Sequence, residues 1–353
     1  MITIGVDAHK RVHVALALDE AGRELGQWRG PNSTVGWQAL GQWVLAFGGD
    51  RQWGIEGAWG YGRGLAQHLV AAGETVYEVN ARWTASGRRS ARRPGKNDRL
   101  DARAVALLVR QETPTLPQVQ AEDETAVLNL LTTEREQALS ESTRLRNQIH
   151  ALLLQLDPEY QVHLPVLKSR ASLAALETYI APGGGPLKLE RAASVRRLAQ
   201  RLRLALTQAE ELASRIRDSA AEDFSPLTRL CGVNLLTAGT LAGVLGPGRR
   251  FATDAQLAAY AGVAPLEASS AGLVRHRLNR GGNRRLNAIL YRIALTQAHH
   301  SSEARAYLDR RVAEGKTRRE AIRALKRFII RAIWRLWQEC RSVSNTSLEV
   351  RAA

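Results

Sequence analysis

Cysteine is nearly missing. The 353 residues hold two, Cys231 and Cys340, far apart and without a CxxC partner. They support neither a zinc site nor a disulfide framework, and a reducing cytoplasm is the expected setting. Long apolar runs are missing as well. No stretch of about 18 apolar residues occurs, so no membrane span is expected. The opening segment MITIGVDAHK ends in charges and lacks the long apolar stretch of a secretory signal. Acidic residues are scarce at one end: residues 223–353 carry 22 Lys and Arg against 9 Asp and Glu.

What is present bounds the rest. Apolar residues make up 44% of the chain, enough for packed interiors and against global disorder. The length suggests two or three units. The net charge of +16 is uneven. Residues 1–115 contribute +4, residues 116–222 contribute −1, and residues 223–353 contribute +13. Arginine supplies most of the cations, and its planar fork suits phosphate oxygens. A polyanionic partner is therefore expected. An anionic membrane surface is the weaker alternative, because no basic amphipathic anchor with a broad aromatic face stands out.

Periodicity predicts an α/β region followed by helices. Ile2, Ile4 and Val6 alternate with Thr3, Gly5 and Asp7, and Val12, Val14, Leu16 and Leu18 repeat the period of two. A short strand near Gln27-Trp28, a helix over 34–47, a strand at Trp53 and Ile55, a helix at Leu65 and Leu69, and a strand at Val76 and Val79 follow. That order predicts a mixed sheet with covering helices, similar to the RNase H-like fold. Residues 82–97 read as a mobile basic loop, with Arg82, Arg88, Arg89, Arg92, Arg93 and Lys96 among Ser, Gly and Pro. Residues 121–156 and 187–220 read as two long, nearly neutral helices broken by Pro165 and Gly183-Gly184-Gly185-Pro186. They fit a self-contained bundle or a coiled-coil oligomerisation arm. The basic remainder reads as mostly helical. Phe328, Ile329, Ile333, Trp334 and Trp337 give its last helix an apolar face, with Arg331 and Arg335 opposite.

Four acids stand out by placement. Asp7 and Glu56 each end a strand on the side away from its apolar residues, and Asp98 and Asp101 share one face at a helix start. Carboxylates on neighbouring strand ends repel, and each is driven toward protonation unless a cation joins them. Mg²⁺ prefers such hard oxygen ligands, and a pair of ions can hold the attacking and leaving oxygens of a phosphoryl transfer. Taken singly, Asp98 or Asp101 fits a helix cap and Asp7 a turn cap. The order strand-Asp, strand-Glu, helix-Asp-x-x-Asp is hard to explain by capping.

The segments GVDAHK, IEGAWGYG and KNDRLDARAVALL resemble the three motif blocks of the DEDD transposases, the IS110 family of insertion-sequence enzymes described as bridge-RNA-guided recombinases. The resemblance runs over nearly the whole chain. It implies a catalytic domain over 1–115 similar to the junction resolvase RuvC, a helical arm over 116–222, a transposase domain over 223–345 and a tail over 346–353. It places the family's acids on Asp7, Glu56, Asp98 and Asp101, holding Mg²⁺ or Mn²⁺. It also implies donor and target DNA as substrates, a structured noncoding RNA that pairs with both, and a dimer or tetramer.

The C-terminal part adds two features. Leu230-Cys231-Gly232-Val233-Asn234 is similar to a helix-hairpin-helix turn with Asn234 in place of the second glycine, or is an ordinary helix connection. Ser269-Ser270-Ala271-Gly272 precedes Arg275, His276, Arg277, Arg280, Arg284 and Arg285. Arginines there can offset charge on a phosphate. Spacing alone reads as a polar loop. The family resemblance implies a serine nucleophile that maps best to Ser270, with Ser269 the second candidate because Ala271 stands where glycine is expected. His276 is a candidate phosphate contact. The rival functions are a metal-dependent nuclease or junction resolvase that uses water, and a non-catalytic nucleic-acid-binding protein.

Overall fold

The alternation in the first 80 residues produces a five-stranded sheet in the order β3-β2-β1-β4-β5. The strands are β1 (Ile2–Ala8), β2 (Val12–Leu18), β3 (Glu24–Pro31), β4 (Arg51–Glu56) and β5 (Thr75–Val79). The first three form an antiparallel meander, while β4 pairs parallel with β1 and β5 parallel with β4. The parallel strands are reached through helices α1 (Thr34–Leu45) and α2 (Arg63–Ala71). This is the mixed, RNase H-like sheet that the pattern predicts. The third strand is longer than the Gln27-Trp28 signal suggested, and its alternate residues are exposed along an edge. The computed structural model describes residues 1–81, 84, 97–164, 167, 169–247, 250–267, 276–277 and 281–351.

Side-chain parity sorts the sheet into two faces. Ile2, Ile4, Val6, Trp53 and Ile55 pack with Leu40, Val44, Leu65 and Leu69 of α1 and α2. On the other face, helix α3 (Asp98–Glu112) brings Ala102 and Ala106 against Val14, Leu16 and Leu18, and Val105 and Val109 against Val79. The centre of this second face has no side chains. Gly5 and Gly54 are register partners on β1 and β4. A β-carbon on Gly5 would lie 2.2 Å from the Ala102 carbonyl oxygen and 2.3 Å from the Ala106 nitrogen. One on Gly54 would lie 2.3 Å from a Val109 methyl. The two glycines form a trough that lets α3 lie against the sheet backbone.

The described chain packs as two compact units. Residues 127–225 and 234–243 form one, and residues 1–126, 226–233 and 244–353 the other. Both outer portions of the chain thus share a unit. The smaller unit is built on α4 (Glu124–Leu156), α5 (Tyr160–His163), α6 (Arg170–Glu177) and α7 (Pro186–Asp223). Leu145, Ile149, Leu153 and Leu156 pack with Leu173, Leu176, Val195, Ala199 and Leu202. In that unit Asn234 opens α8 (Leu235–Leu245) as a cap: its Oδ1 accepts from the Thr237 N–H at 2.9 Å.

The larger unit also holds α9 (Asp254–Tyr260), a short pair β6 (Leu266–Glu267) and β7 (His276–Arg277), and helices α10 (Arg284–His300), α11 (Ser302–Ala313) and α12 (Arg318–Arg351). Helices α10 and α11 pack on α12 through Ile289, Ile293, Leu308, Ile329, Ile330 and Ile333. Thr317 and Glu320 exchange hydrogen bonds as a capping box at the start of α12. Trp337 is buried as core, and Arg331 and Arg335 are exposed on the other side. Phe328 departs from its expected place on the apolar face: it is 51% exposed and meets the Tyr307 ring edge-on. Among the described residues, no helix is long and apolar enough to cross a membrane.

The trough makes a simple prediction. Gly5→Ala and Gly54→Ala each lower stability by about 1–3 kcal/mol, because the added methyl meets the helix. Gly41→Ala in α1, where nothing lies within 4 Å, is neutral or stabilising. Urea unfolding of the three variants checks this; equal effects at all three positions would refute the trough.

Candidate functional site

The trough fixes where the acids meet. Asp7 and Glu56 are register partners, two residues beyond Gly5 and Gly54 and therefore on the same face. Gly57 follows Glu56 with φ of +72°, a turn that takes the chain off the sheet into α2. The sequence Asp98-Arg99-Leu100-Asp101 is the first turn of α3, one turn before the residues seated on Gly5. The cap of that helix is Asn97, whose Oδ1 accepts from the Arg99 N–H at 3.0 Å. Asp98 and Asp101 are thus not spent on capping, and the positive end of the helix lowers the cost of their charges by ~0.3–1 kcal/mol each.

Burial differs among the four. Asp7 and Asp101 are buried, and Glu56 and Asp98 are half-buried. Burial pushes the Asp7 carboxyl up to about 6; His9 opposes the shift, and Glu56, Asp101 and Asp98 add to it. The other three acids therefore all act electrostatically on Asp7. The buried Thr84 hydroxyl donates to Glu56 Oε2 at 2.9 Å. The exposed His9 adds a fifth group. Its Nε2 lies 3.1 Å from Asp7 Oδ2 and 3.7 Å from Asp98 Oδ1. Asp7, His9 and Asp98 each offer a ligand atom within 4.8 Å of the others.

The residues fit a divalent cation. Asp7 Oδ2 is buried without a hydrogen bond, even though His9 Nε2 is near. A buried carboxylate oxygen in that condition costs free energy, and three neighbouring acids raise the cost. Carboxylate oxygens are the hard donors that Mg²⁺ and Mn²⁺ take. Asp7, His9 and Asp98 form the tight set, with Glu56 and Asp101 beside it.

The remaining expected site residues are less fully described. Arg284 is exposed and Arg285 half-buried at the start of α10, where Asn283 Oδ1 caps the Leu286 N–H at 3.0 Å. Arg277 and His276 lie on β7, paired with β6. Ser269, Ser270, Arg275, Arg280, Arg88, Arg89, Arg92, Arg93 and Lys96, and the rest of the expected basic loop apart from Thr84 and Asn97, lie outside the described residues. Sequence reasoning gave no metal-site role to His9 and did not single out Thr84. His9 follows Asp7 by two, a spacing that hints at shared orientation. Nothing in the sequence ties Thr84 to Glu56.

Comparisons with known proteins converge. Residues 4–158 match the DEDD transposase family of IS110 elements, described as "Transposase". Residues 224–309 match the "Transposase IS116/IS110/IS902 family". A 43.6 kDa insertion element IS110 protein from Streptomyces coelicolor is 30% identical over 279 residues, covering 66% of this chain and 68% of that protein. A 42 kDa insertion element IS900 protein from Mycobacterium paratuberculosis is 25% identical over 384 residues, covering 95% of each chain.

The raised Asp7 group has a signed consequence. Its contribution to the stability of the metal-free protein is full below its ordinary pKa near 3.8 and is lost as pH rises through about 6. In EDTA at pH 8, Asp7→Asn is therefore more stable than wild type, by about 2 kcal/mol, and the gap closes at pH 4. The same variant loses the rise in melting temperature that Mg²⁺ or Mn²⁺ gives the wild type. Thermal unfolding with and without metal at the two pH values checks both parts.

Proposed function

The chain belongs to the IS110 family of transposases, and on that footing we propose that it cuts and rejoins DNA with metal-binding carboxylates and a serine nucleophile. Membership makes it a DNA-processing enzyme, and the DEDD domain implies divalent metal use. The observation that carries the metal-carboxylate part of that reading is Asp7 Oδ2, buried, without a hydrogen bond and crowded by other acids at the ends of two paired strands.

Asp7, Glu56, Asp98 and Asp101 would hold the metal, with His9 at its edge. A bound Mg²⁺ or Mn²⁺ supplies Lewis-acid charge to the scissile phosphate and to the departing oxygen. The Ser270 hydroxyl gives up its proton as Oγ bonds to phosphorus. The bond from phosphorus to the 3′ oxygen breaks, and that oxygen takes up a proton. The 5′ phosphate stays on the serine, so the bond energy is retained for rejoining. Attack by the 3′ hydroxyl of the exchanged strand reverses the step and frees the serine. Arg275, Arg277 and Arg280 would offset charge on the phosphate, and Arg88, Arg89, Arg92, Arg93, Lys96, Arg284 and Arg285 would hold nucleic-acid backbone.

The partners follow from the same reading. Donor and target DNA are brought together by a structured noncoding RNA that pairs with both. Base pairing then reads sequence while the protein reads backbone, as in other guided systems. Two or four copies of the chain bring the half-sites together. The +13 surplus of residues 223–353 supports a polyanionic partner.

Two measurements test this. A nicked suicide DNA substrate gives a covalent protein–DNA adduct with wild type, none with Ser270→Ala, and an adduct with Ser269→Ala. Cleavage that persists without adduct in Ser270→Ala would return the enzyme to a water-using nuclease. Sequencing of the RNA that co-purifies with the protein returns one defined noncoding species; random cellular RNA would refute guidance.

A further inference from the structure

Arg250 is a charged side chain in an apolar interior, 4% exposed. Its Nη2 pairs with Glu78 Oε2 at 2.5 Å and donates to the Tyr260 hydroxyl oxygen at 3.0 Å. Its Nη1 donates to the carbonyls of Val244 and Leu245 at 3.1 and 3.2 Å. The guanidinium lies 5.0 Å from the Trp59 ring, 5.0 Å from Phe251 and 4.6 Å from Tyr260. Burial works against the charge, and Tyr260 and Glu78 outweigh it, so the group stays cationic. Such a residue costs several kcal/mol of desolvation before its partners offset it. Packing alone is served more simply by an apolar side chain.

Its partners lie in both halves of the proposed site. Trp59 is three residues beyond Glu56, in the turn leaving β4. Glu78 sits on β5 opposite Ile55, and its Oε2 also accepts from Trp59 Nε1 at 3.0 Å. On the other side, Tyr260 ends α9 and is clamped by Asn283: the Asn283 N–H donates to the Tyr260 carbonyl at 2.6 Å, and Nδ2 donates to the Tyr260 hydroxyl at 2.8 Å. A β-carbon on Gly282 would lie 2.3 Å from the Gly262 backbone. Asn287 adds a bond to the Ala261 carbonyl at 2.8 Å, and Lys326 Nζ holds Asn287 Oδ1 at 2.8 Å. Residues 260–262 and 282–287 are thus held together, and Ser269 and Ser270 lie between these two segments in sequence.

We infer that Arg250 is a positioning residue: it fixes the joined segments 260–262 and 282–287, which bracket Ser269 and Ser270 in sequence, to the strand end that carries Glu56, so that both halves of one protomer keep a set relation during strand cleavage. The inference rests on the reading that the carboxylates and the C-terminal half serve one reaction. It does not depend on which serine attacks.

The test pairs two variants of the full-length protein. Arg250→Met with Glu78→Gln removes the ion pair while keeping volume and the Trp59 bond, a replacement that buried pairs tolerate well. Tyr260→Phe removes a single hydroxyl. Single-turnover strand cleavage is followed by product length at saturating DNA, beside DNA affinity and the melting shift given by Mg²⁺. The rate falls about 100-fold in the double variant and about tenfold in Tyr260→Phe, with DNA affinity and metal shift within about twofold of wild type. A rate within about threefold of wild type in the folded double variant overturns the inference, as does a parallel loss of DNA affinity and metal response. Should the double variant aggregate, Tyr260→Phe decides by the same readouts. The Ser269→Ala/Ser270→Ala double variant is assayed alongside for cleavage: normal cleavage there removes the serine reading and leaves the Arg250 result standing.

Discussion

The close seat of one helix on two glycines is the constraint from which the site follows. Helix α3 touches the sheet backbone across Gly5 and Gly54, so its first turn stands beside the ends of β1 and β4. Four acids from three distant segments then fall into one electrostatic neighbourhood without any loop to hold them. Secondary-structure ends are stiffer platforms than loops, and phosphoryl transfer depends on fixed positions more than on covalent chemistry. The cost is a buried carboxylate that the protein itself leaves unsatisfied.

That cost is legible as function. Buried polar atoms are almost always hydrogen-bonded, and an exception crowded by like charges is a place for a cation. Asp7 Oδ2 is such an exception, and His9, Asp98, Glu56 and Asp101 surround it. Arg250 is the opposite arrangement. It is equally buried, yet six residues meet it by hydrogen bond or ring contact, and they come from both the N-terminal and the C-terminal segments of the larger unit. One buried charge faces other acids, while the other is met through both of its terminal nitrogens and only its Nε is without a partner. The first reads as a place for a ligand, and the second as a joint.

The sequence exposed some of this and concealed the rest. The alternation of Ile2, Ile4 and Val6 with Thr3, Gly5 and Asp7 revealed which face Asp7 would take, because side-chain direction in a strand has a strict period. The same logic placed Glu56. The Asp98-x-x-Asp101 spacing put both acids on one helical face, although Asn97, not an acid, turned out to be the cap. Glycines at positions 5 and 54 were visible but mute, since only their pairing in register makes a trough. The Arg250–Glu78 contact joins residues 172 apart in sequence, beyond the reach of any local pattern. Phe328 followed the helical period of its neighbours but is half exposed and meets only the Tyr307 ring among the aromatic contacts of the described residues.

The strict alternation of β1 has a consequence for how such a chain can diverge. Inserting a single residue directly after Gly5 would rotate every later side chain of the strand to the opposite face. Val6 would then point at α3, and the acid would enter the apolar layer beneath α1 and α2. Exchange of one residue for another leaves this handedness intact, whereas a change of length inverts it. Relatives can therefore drift in identity along this strand while its count from glycine to acid stays locked.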